Sequence, residues 1–135
     1  MLTIHAGTND EAVAVEGDRV VAVADVDALR AAYPRARVRE WPGELRAGAG
    51  WEEALPEAPS PRERVHALLV RGVTAVAPGP LGDDPGLAPA AARVGLPVGS
   101  PVPPTAGARA DFAVFAADGS CLATVLAGRL VHRRK

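Results

Sequence analysis

Histidine and cysteine are the residue types in this chain that could bind a metal ion or act as a nucleophile. The chain has three histidines, His5, His66 and His132, and one cysteine. Three imidazoles can hold zinc or iron, but none of these histidines stands at His-x-His or His-x3-His spacing from another. We therefore expect isolated histidines at the surface or at strand edges, and no metal site.

The single cysteine, Cys121, lies between Ser120 and Leu122 in a predicted strand. It can form neither an internal disulfide nor a cysteine-type zinc site. A nucleophilic cysteine needs a neighbouring base and an electropositive environment, and the adjacent residues indicate neither. The prediction is a small, buried or half-buried hydrophobic side chain.

The acidic and glycine-rich segments contain no cofactor motif. Asp83 and Asp84 lie in a Pro/Gly-rich loop without further carboxylates at metal-ligand spacing, so we expect a solvated turn. The glycine-rich segments 47–50 and 78–86 contain neither Gly-Lys-Ser/Thr nor G-x-G-x-x-G after a strand. The sequence predicts no catalytic, cofactor-binding or metal-binding residue.

Composition indicates one globular domain with balanced charge. The 135 residues include 15 Lys plus Arg against 16 Asp plus Glu, and 48% are hydrophobic. Nucleic-acid binders normally carry a basic surplus, so we expect no nucleic-acid partner. No apolar run is long enough for a membrane span, and residues 1–7 lack the regions of a signal peptide. The expectation is a cytoplasmic protein without a membrane partner.

The elements that would position these residues follow from local patterns. The amino-terminal third is predicted to form a strand (2–5), a hairpin (12–15 and 20–23), a helix (26–32) and a strand (36–41). Asp25 can cap the first helix, and Pro34 ends it. Ser60 can cap a second helix, with Pro61 in its first turn and Glu63 three residues after the cap.

The remaining elements alternate with Pro/Gly-rich stretches. The predicted order is a loop (44–60), a helix (61–72), a strand (73–77), a loop (78–85), a short helix (87–94), a Pro/Gly stretch (97–107), strands (111–115, 121–126 and 130–132) and a frayed basic tail (133–135). The fold class predicted is α+β, mainly β.

Both ends of the chain carry a resemblance to one family. Residues 12–24, AVAVEGDRVVAVA, and 25–48, DVDALRAAYPRARVREWPGELRAG, resemble the amino-terminal part of the amidohydrolase superfamily. Residues 107–134, GARADFAVFAADGSCLATVLAGRLVHRR, resemble its closing segment. Imidazolonepropionases and aminodeoxyfutalosine deaminases are members of the family that the chain resembles. In that family the two segments fold into a small β-sandwich, the composite domain, which flanks a metal-dependent (β/α)8 barrel.

The resemblance implies a composite domain without its barrel. A barrel needs roughly 200–250 residues, far more than lie between Pro42 and Ala110. We expect an antiparallel sandwich from about 1–47 and 105–135, with two or three helices, and a loop-rich remnant insert at about 48–104. Within the insert, residues 68–76 resemble an early barrel helix and strand.

The family's metal motif is the most informative part of the resemblance. It has Pro-Gly, two apolar residues, Asp or Asn, Ala, and then His-x-His. Pro42, Gly43 and Ala47 follow this frame, but Gly48 and Gly50 occupy both histidine positions. Glycine has no side chain to ligate a metal. The resemblance further implies that Asp111 caps backbone N–H groups at its strand start and that His132 has no chemical role.

Two functions remain open from the sequence. The first is a barrel-less, non-catalytic interaction or small-ligand-binding module. The alternative is an imidazolonepropionase-like hydrolase of carbon–nitrogen bonds, or an accessory subunit that completes such an enzyme.

Loss of the barrel also predicts self-association. Apolar side chains that the barrel would cover, around Trp41, Leu45 and Trp51, predict a homodimer, and a protein partner is a further expectation. Residues 2–23 and 111–135 are expected to share one sheet, so that removal of the latter should unfold the chain.

Overall fold

The computed structural model of the protein describes residues 2–134. These residues form an α+β fold that is mainly β, as the sequence predicts. The strands are β1 Leu2–Ala6, β2 Ala12–Glu16, β3 Arg19–Ala24, β4 Arg37–Glu40, β5 Glu44–Arg46, β6 Ala49–Trp51, β7 Val73–Val76, β8 Phe112–Phe115, β9 Cys121–Leu126 and β10 Arg129–Arg133. The helices are α1 Val26–Ala32, α2 Pro61–Val70, α3 Pro78–Leu81 and α4 Leu87–Val94.

The first sheet has the strand order β3-β2-β1-β4. Gly17 begins the two-residue turn between β2 and β3 with a φ of 61°, a conformation that favours glycine and suits a tight hairpin. Asp25 caps α1 by accepting a hydrogen bond from the Ala28 N–H at 2.9 Å, as predicted. The helix covers one face of the sheet with Leu29, against small side chains such as Ala14.

The second sheet has the order β10-β9-β8-β5 and lies against the other face of the first sheet. Their shared core contains valines from β2 and β3 together with Leu45 and Phe112. The expectation that the two terminal segments share a sheet is therefore wrong, since they lie in facing sheets. The pairing is also not purely antiparallel, because β1 and β4 run parallel.

Residues between β5 and β8 form a second core. The strands β6 and β7 pair in parallel, and α2 packs against α4 and β9. The Ser60 hydroxyl accepts a hydrogen bond from the Glu63 N–H at 3.2 Å, which confirms the predicted cap of α2. Leu126 of β9 belongs to this core, so β9 contributes side chains to the cores on both faces of the second sheet.

Several local predictions are wrong for identifiable reasons. The predicted loop 44–60 contains β5 and β6, whose three-residue strands are too short to show a period. The predicted loop 78–85 contains α3, so the described residues form four helices rather than two or three. The tail is ordered through Arg134, whose N–H donates to the Leu122 carbonyl at 2.8 Å. Lys135 lies outside the described residues.

None of the helices within residues 2–134 has the length and apolar character needed to cross a membrane.

Candidate functional site

Gly48 and Gly50, which the resemblance aligns with the family's two metal-binding histidines, lie at β6, beside β7. Gly48 immediately precedes β6 and Gly50 is its middle residue. A Cβ atom at Gly48 would lie 2.6 Å from the Gly72 carbonyl oxygen and closer still to the Thr74 side chain. A Cβ at Gly50 would lie 3.1 Å from Cδ of Pro101. Gly48 is therefore required by the close approach of β7, and a larger residue there needs a backbone shift.

A cleft of about 770 Å³ opens beside this strand. Its polar and aromatic lining residues are Trp51, Glu52, Glu53, Arg71 and Ser100. The half-buried Trp51 ring is held by its Nε1–H, which donates to the Ala54 carbonyl at 3.2 Å. The cleft therefore combines one cation and two carboxylates with an aromatic wall.

The backbone of β6 adds polar groups at the same place. The Ala49 N–H donates to Gly72, and the Trp51 carbonyl accepts from Ala77, both toward the β7 side. Because alternate residues of a strand direct their N–H and C=O groups to opposite sides, those of Gly50 point away from β7. Gly50 is exposed and lines the cleft.

His5 is buried in the sandwich, so its expected position at the surface or at a strand edge is wrong. Only 6% of its area is exposed. The Trp41 Nε1–H donates to His5 Nδ1 at 3.3 Å, and the Phe112 ring packs edge-on at 5.1 Å between centroids. Burial lowers the pKa of His5 to about 4, with further lowering by the charges of Arg39 and Arg37.

His66 and His132 are neighbours rather than isolated residues. Their ring centroids lie 6.4 Å apart, because α2 packs against the edge strand β10. Burial, followed by the charge of His66, lowers the pKa of His132. Within residues 2–134 no group of three or more His, Cys, Asp or Glu side chains is arranged to hold a metal ion. The pairing joins residues distant in sequence, so no local spacing could have predicted it.

Cys121 is buried, which confirms the predicted hydrophobic role. Its thiol donates to the Ala123 carbonyl at 3.3 Å and lies 3.4 Å from Oγ1 of Thr124. Burial raises the pKa of this thiol, so it stays protonated at neutral pH and is a poor nucleophile.

The aspartates have structural roles. Asp111 accepts hydrogen bonds from Arg109 Nε at 3.0 Å and from the Ala127 N–H at 2.8 Å. Its carboxylate thus holds the turn between β9 and β10 rather than its own strand start, which corrects the implied position of the cap. Asp84 accepts from the Gly86 N–H at 2.7 Å and forms a turn, as expected.

Comparison with known proteins supports the resemblance found in the sequence. The family model of the imidazolonepropionase-like composite domain of bacteria matches residues 12–36, which span the β2–β3 hairpin and α1. No curated protein and no solved structure matches the chain. The hairpin–helix unit of the chain is therefore similar to the imidazolonepropionase-like composite domain.

Proposed function

We propose that this amidohydrolase-related protein is a non-catalytic, small-ligand-binding module, and that the cleft beside β6 is its binding site. The main observation that supports a non-catalytic role is the close packing of Thr74 and Gly72 against Gly48. The resemblance places the family's first metal-binding histidine at this position. A hydrolytic metal site needs side chains that hold the ion and leave a position open for water. Neither glycine can supply such a ligand.

The lining of the cleft supports a ligand that carries both charges. Arg71 can pair with an anionic group, and its guanidinium carbon lies 5.8 Å from the centroid of the Trp51 ring. Glu52 and Glu53 can pair with a cationic group of the same molecule. The exposed N–H and C=O of Gly50 can hydrogen-bond to either end. This combination favours a small molecule that carries both charges, such as an amino acid, over an apolar one.

Catalysis is tested with the purified full chain. We incubate the protein with Zn²⁺, Fe²⁺ or Mn²⁺ and measure hydrolysis of imidazolonepropionate, with metal-only and protein-only controls. No turnover above the controls is expected. The double variant Gly48→His, Gly50→His should also be inactive, because the other ligands and their supporting residues are absent. Metal-dependent turnover by the wild-type protein would overturn the proposal and favour the alternative hydrolase.

Ligand binding is tested by an NMR titration with free amino acids of both signs of side-chain charge. The expected result is saturable shifts at Gly50, Trp51 and Ser100, which Arg71→Gln weakens. Arg62→Gln, an exposed position at the other end of α2, is the matched control and should leave binding unchanged. Equal weakening by both variants, or no saturable shift with the whole panel, would count against the cleft as a binding site.

A further inference from the structure

The inner face of the first sheet becomes polar at its β1–β4 edge. In the parallel register of these strands, Thr3 lies beside Arg37 and His5 lies beside Arg39. Thr3 also lies opposite Val15, which belongs to the core between the two sheets. Because paired residues share a face, all four polar side chains project toward the second sheet. Inner faces of sandwiches are normally apolar, so this cluster needs an explanation.

A small pocket lies over these four side chains. Its volume is about 200 Å³, and Gly128 and Leu130, at the start of β10, line it from the second sheet. No carboxylate lines the pocket, and within residues 2–134 neither Arg37 nor Arg39 forms an ion pair. Two cations therefore face one concave site without a counter-charge from the described residues.

His5 contributes a directed hydrogen-bond donor at the same place. Its Nδ1 accepts from Trp41, so the proton of the neutral ring is on Nε2. Within residues 2–134 that Nε2–H donates to no side chain or carbonyl, and His5 lines the pocket. This N–H can therefore donate to an acceptor that binds in the pocket.

We propose that this pocket binds the phosphate group of a small molecule or inorganic phosphate itself. Arginine guanidinium groups suit the planar, bidentate recognition of phosphate oxygens. The Thr3 hydroxyl and the His5 ring supply neutral donors for the remaining oxygens. A pocket of about 200 Å³ accommodates a phosphate group but not a nucleotide. The site shares no lining residue with the β6 cleft, so it stands independently of the proposed function.

The test is an NMR titration of the full chain with inorganic phosphate at neutral pH and constant ionic strength. We expect saturable shifts at Thr3, His5, Arg37 and Arg39. Arg37→Gln should weaken binding by about tenfold or more, since it removes charge-assisted hydrogen bonds. Arg93→Gln, an exposed arginine of α4 that does not line the pocket, is the matched control and should bind phosphate like the wild type.

A second variant separates binding from folding. Arg39 also lies over Trp41, with its guanidinium carbon 5.6 Å from the ring centroid, so Arg39→Gln could disturb the core. Arg39→Lys keeps the charge but loses bidentate geometry, and it should bind phosphate more weakly than wild type at unchanged thermal stability. Thermal unfolding followed by circular dichroism provides the stability control.

Two further ligands identify the source of the phosphate group. Tighter binding of glycerol 3-phosphate than of inorganic phosphate would support a phosphomonoester ligand, and the reverse would support inorganic phosphate. Acetate binding as tightly as phosphate would overturn the proposal. The proposal would also be overturned if Arg93→Gln weakened phosphate binding as much as Arg37→Gln, or if no saturable shifts were seen. Arg37 and Arg39 would then be inward-pointing charges that protect an edge strand from aggregation.

Discussion

His5 is a buried, neutral histidine between two sheets, and this makes it the side chain most directly linked to acid stability. The pKa of His132 is lowered as well. The pKa of His5, about 4, lies below the ordinary value of 6.5 for histidine. Between these pH values the unfolded chain binds a proton that the native state does not. The contribution of neutral His5 to the free energy of unfolding is therefore fully present above about pH 6.5. It is lost as the pH falls toward 4.

The pH prediction compares wild type with His5→Gln in urea titrations without phosphate. Wild type should lose roughly 2 kcal/mol more unfolding free energy than the variant between about pH 7.5 and about pH 5. The variant keeps the contribution of His132 and so controls for it. An equal loss in both proteins would show that His5 is not buried as a neutral group.

Gly48 allows a second prediction about a single residue. Gly48→Ala should destabilise the protein by about 1–3 kcal/mol, because the new Cβ overlaps Thr74 and the Gly72 carbonyl. Gly79→Ala is the matched control, since a Cβ there meets no atom within 4 Å. Urea denaturation measures both. Equal stability of the two variants would contradict the close packing of β7 against Gly48.

At the level of elements, α2 joins α4 to the second sheet. Its residues pack against α4, while Oγ1 of Thr124 in β9 donates to the Leu69 carbonyl at 2.6 Å. The helix begins at a defined cap, where Ser60 also donates to the Glu63 carboxylate at 3.1 Å. Loss of this cap should therefore lower the free energy of unfolding of the whole chain.

Ser60→Ala is expected to lower the free energy of unfolding by about 1 kcal/mol through loss of the cap. Ser100→Ala, an exposed serine in a segment without regular structure, serves as the control and should have little effect. The two midpoints in urea give the comparison. If Ser60→Ala were as stable as the control, the cap would not contribute to the folded state.

For the molecule as a whole, the sandwich makes the two ends of the chain interdependent. Removal of residues 111–135 deletes β8, β9 and β10, which form three of the four strands of the second sheet. The inner face of the first sheet and Leu126's partners in the second core would then be exposed. We expect the truncated chain to show no cooperative urea transition. A monomeric, cooperatively folding fragment would contradict this.

The homodimer stays a prediction, but the apolar surface that suggested it is not available. Trp41 and Leu45 are buried in the core between the sheets, with 7% and 3% of their areas exposed, and Trp51 packs against the second core. A dimer would have to use another surface, such as the exposed edge of β6. Light scattering at micromolar concentration tests it, and a mass near 13.9 kDa would contradict the dimer.

Elements whose signals are local could be predicted from the amino-acid sequence. The turn at Gly17 and the caps at Asp25 and Ser60 follow from contacts within a few residues, and their positions were predicted correctly. The alignment of Gly48 and Gly50 with the family's two metal-binding histidines also comes from the sequence and stays a prediction, because these glycines lie outside the matched residues 12–36.

Which distant residues meet follows from the packing of the whole chain and could not be predicted. The parallel pairing of β1 with β4 places Arg37 and Arg39 beside His5, and that of β6 with β7 brings Thr74 against Gly48. Such pairings depend on how the whole chain buries its apolar faces, and no periodicity within one strand encodes its partner. The cleft, the phosphate pocket and the burial of His5 are therefore properties of the packed molecule.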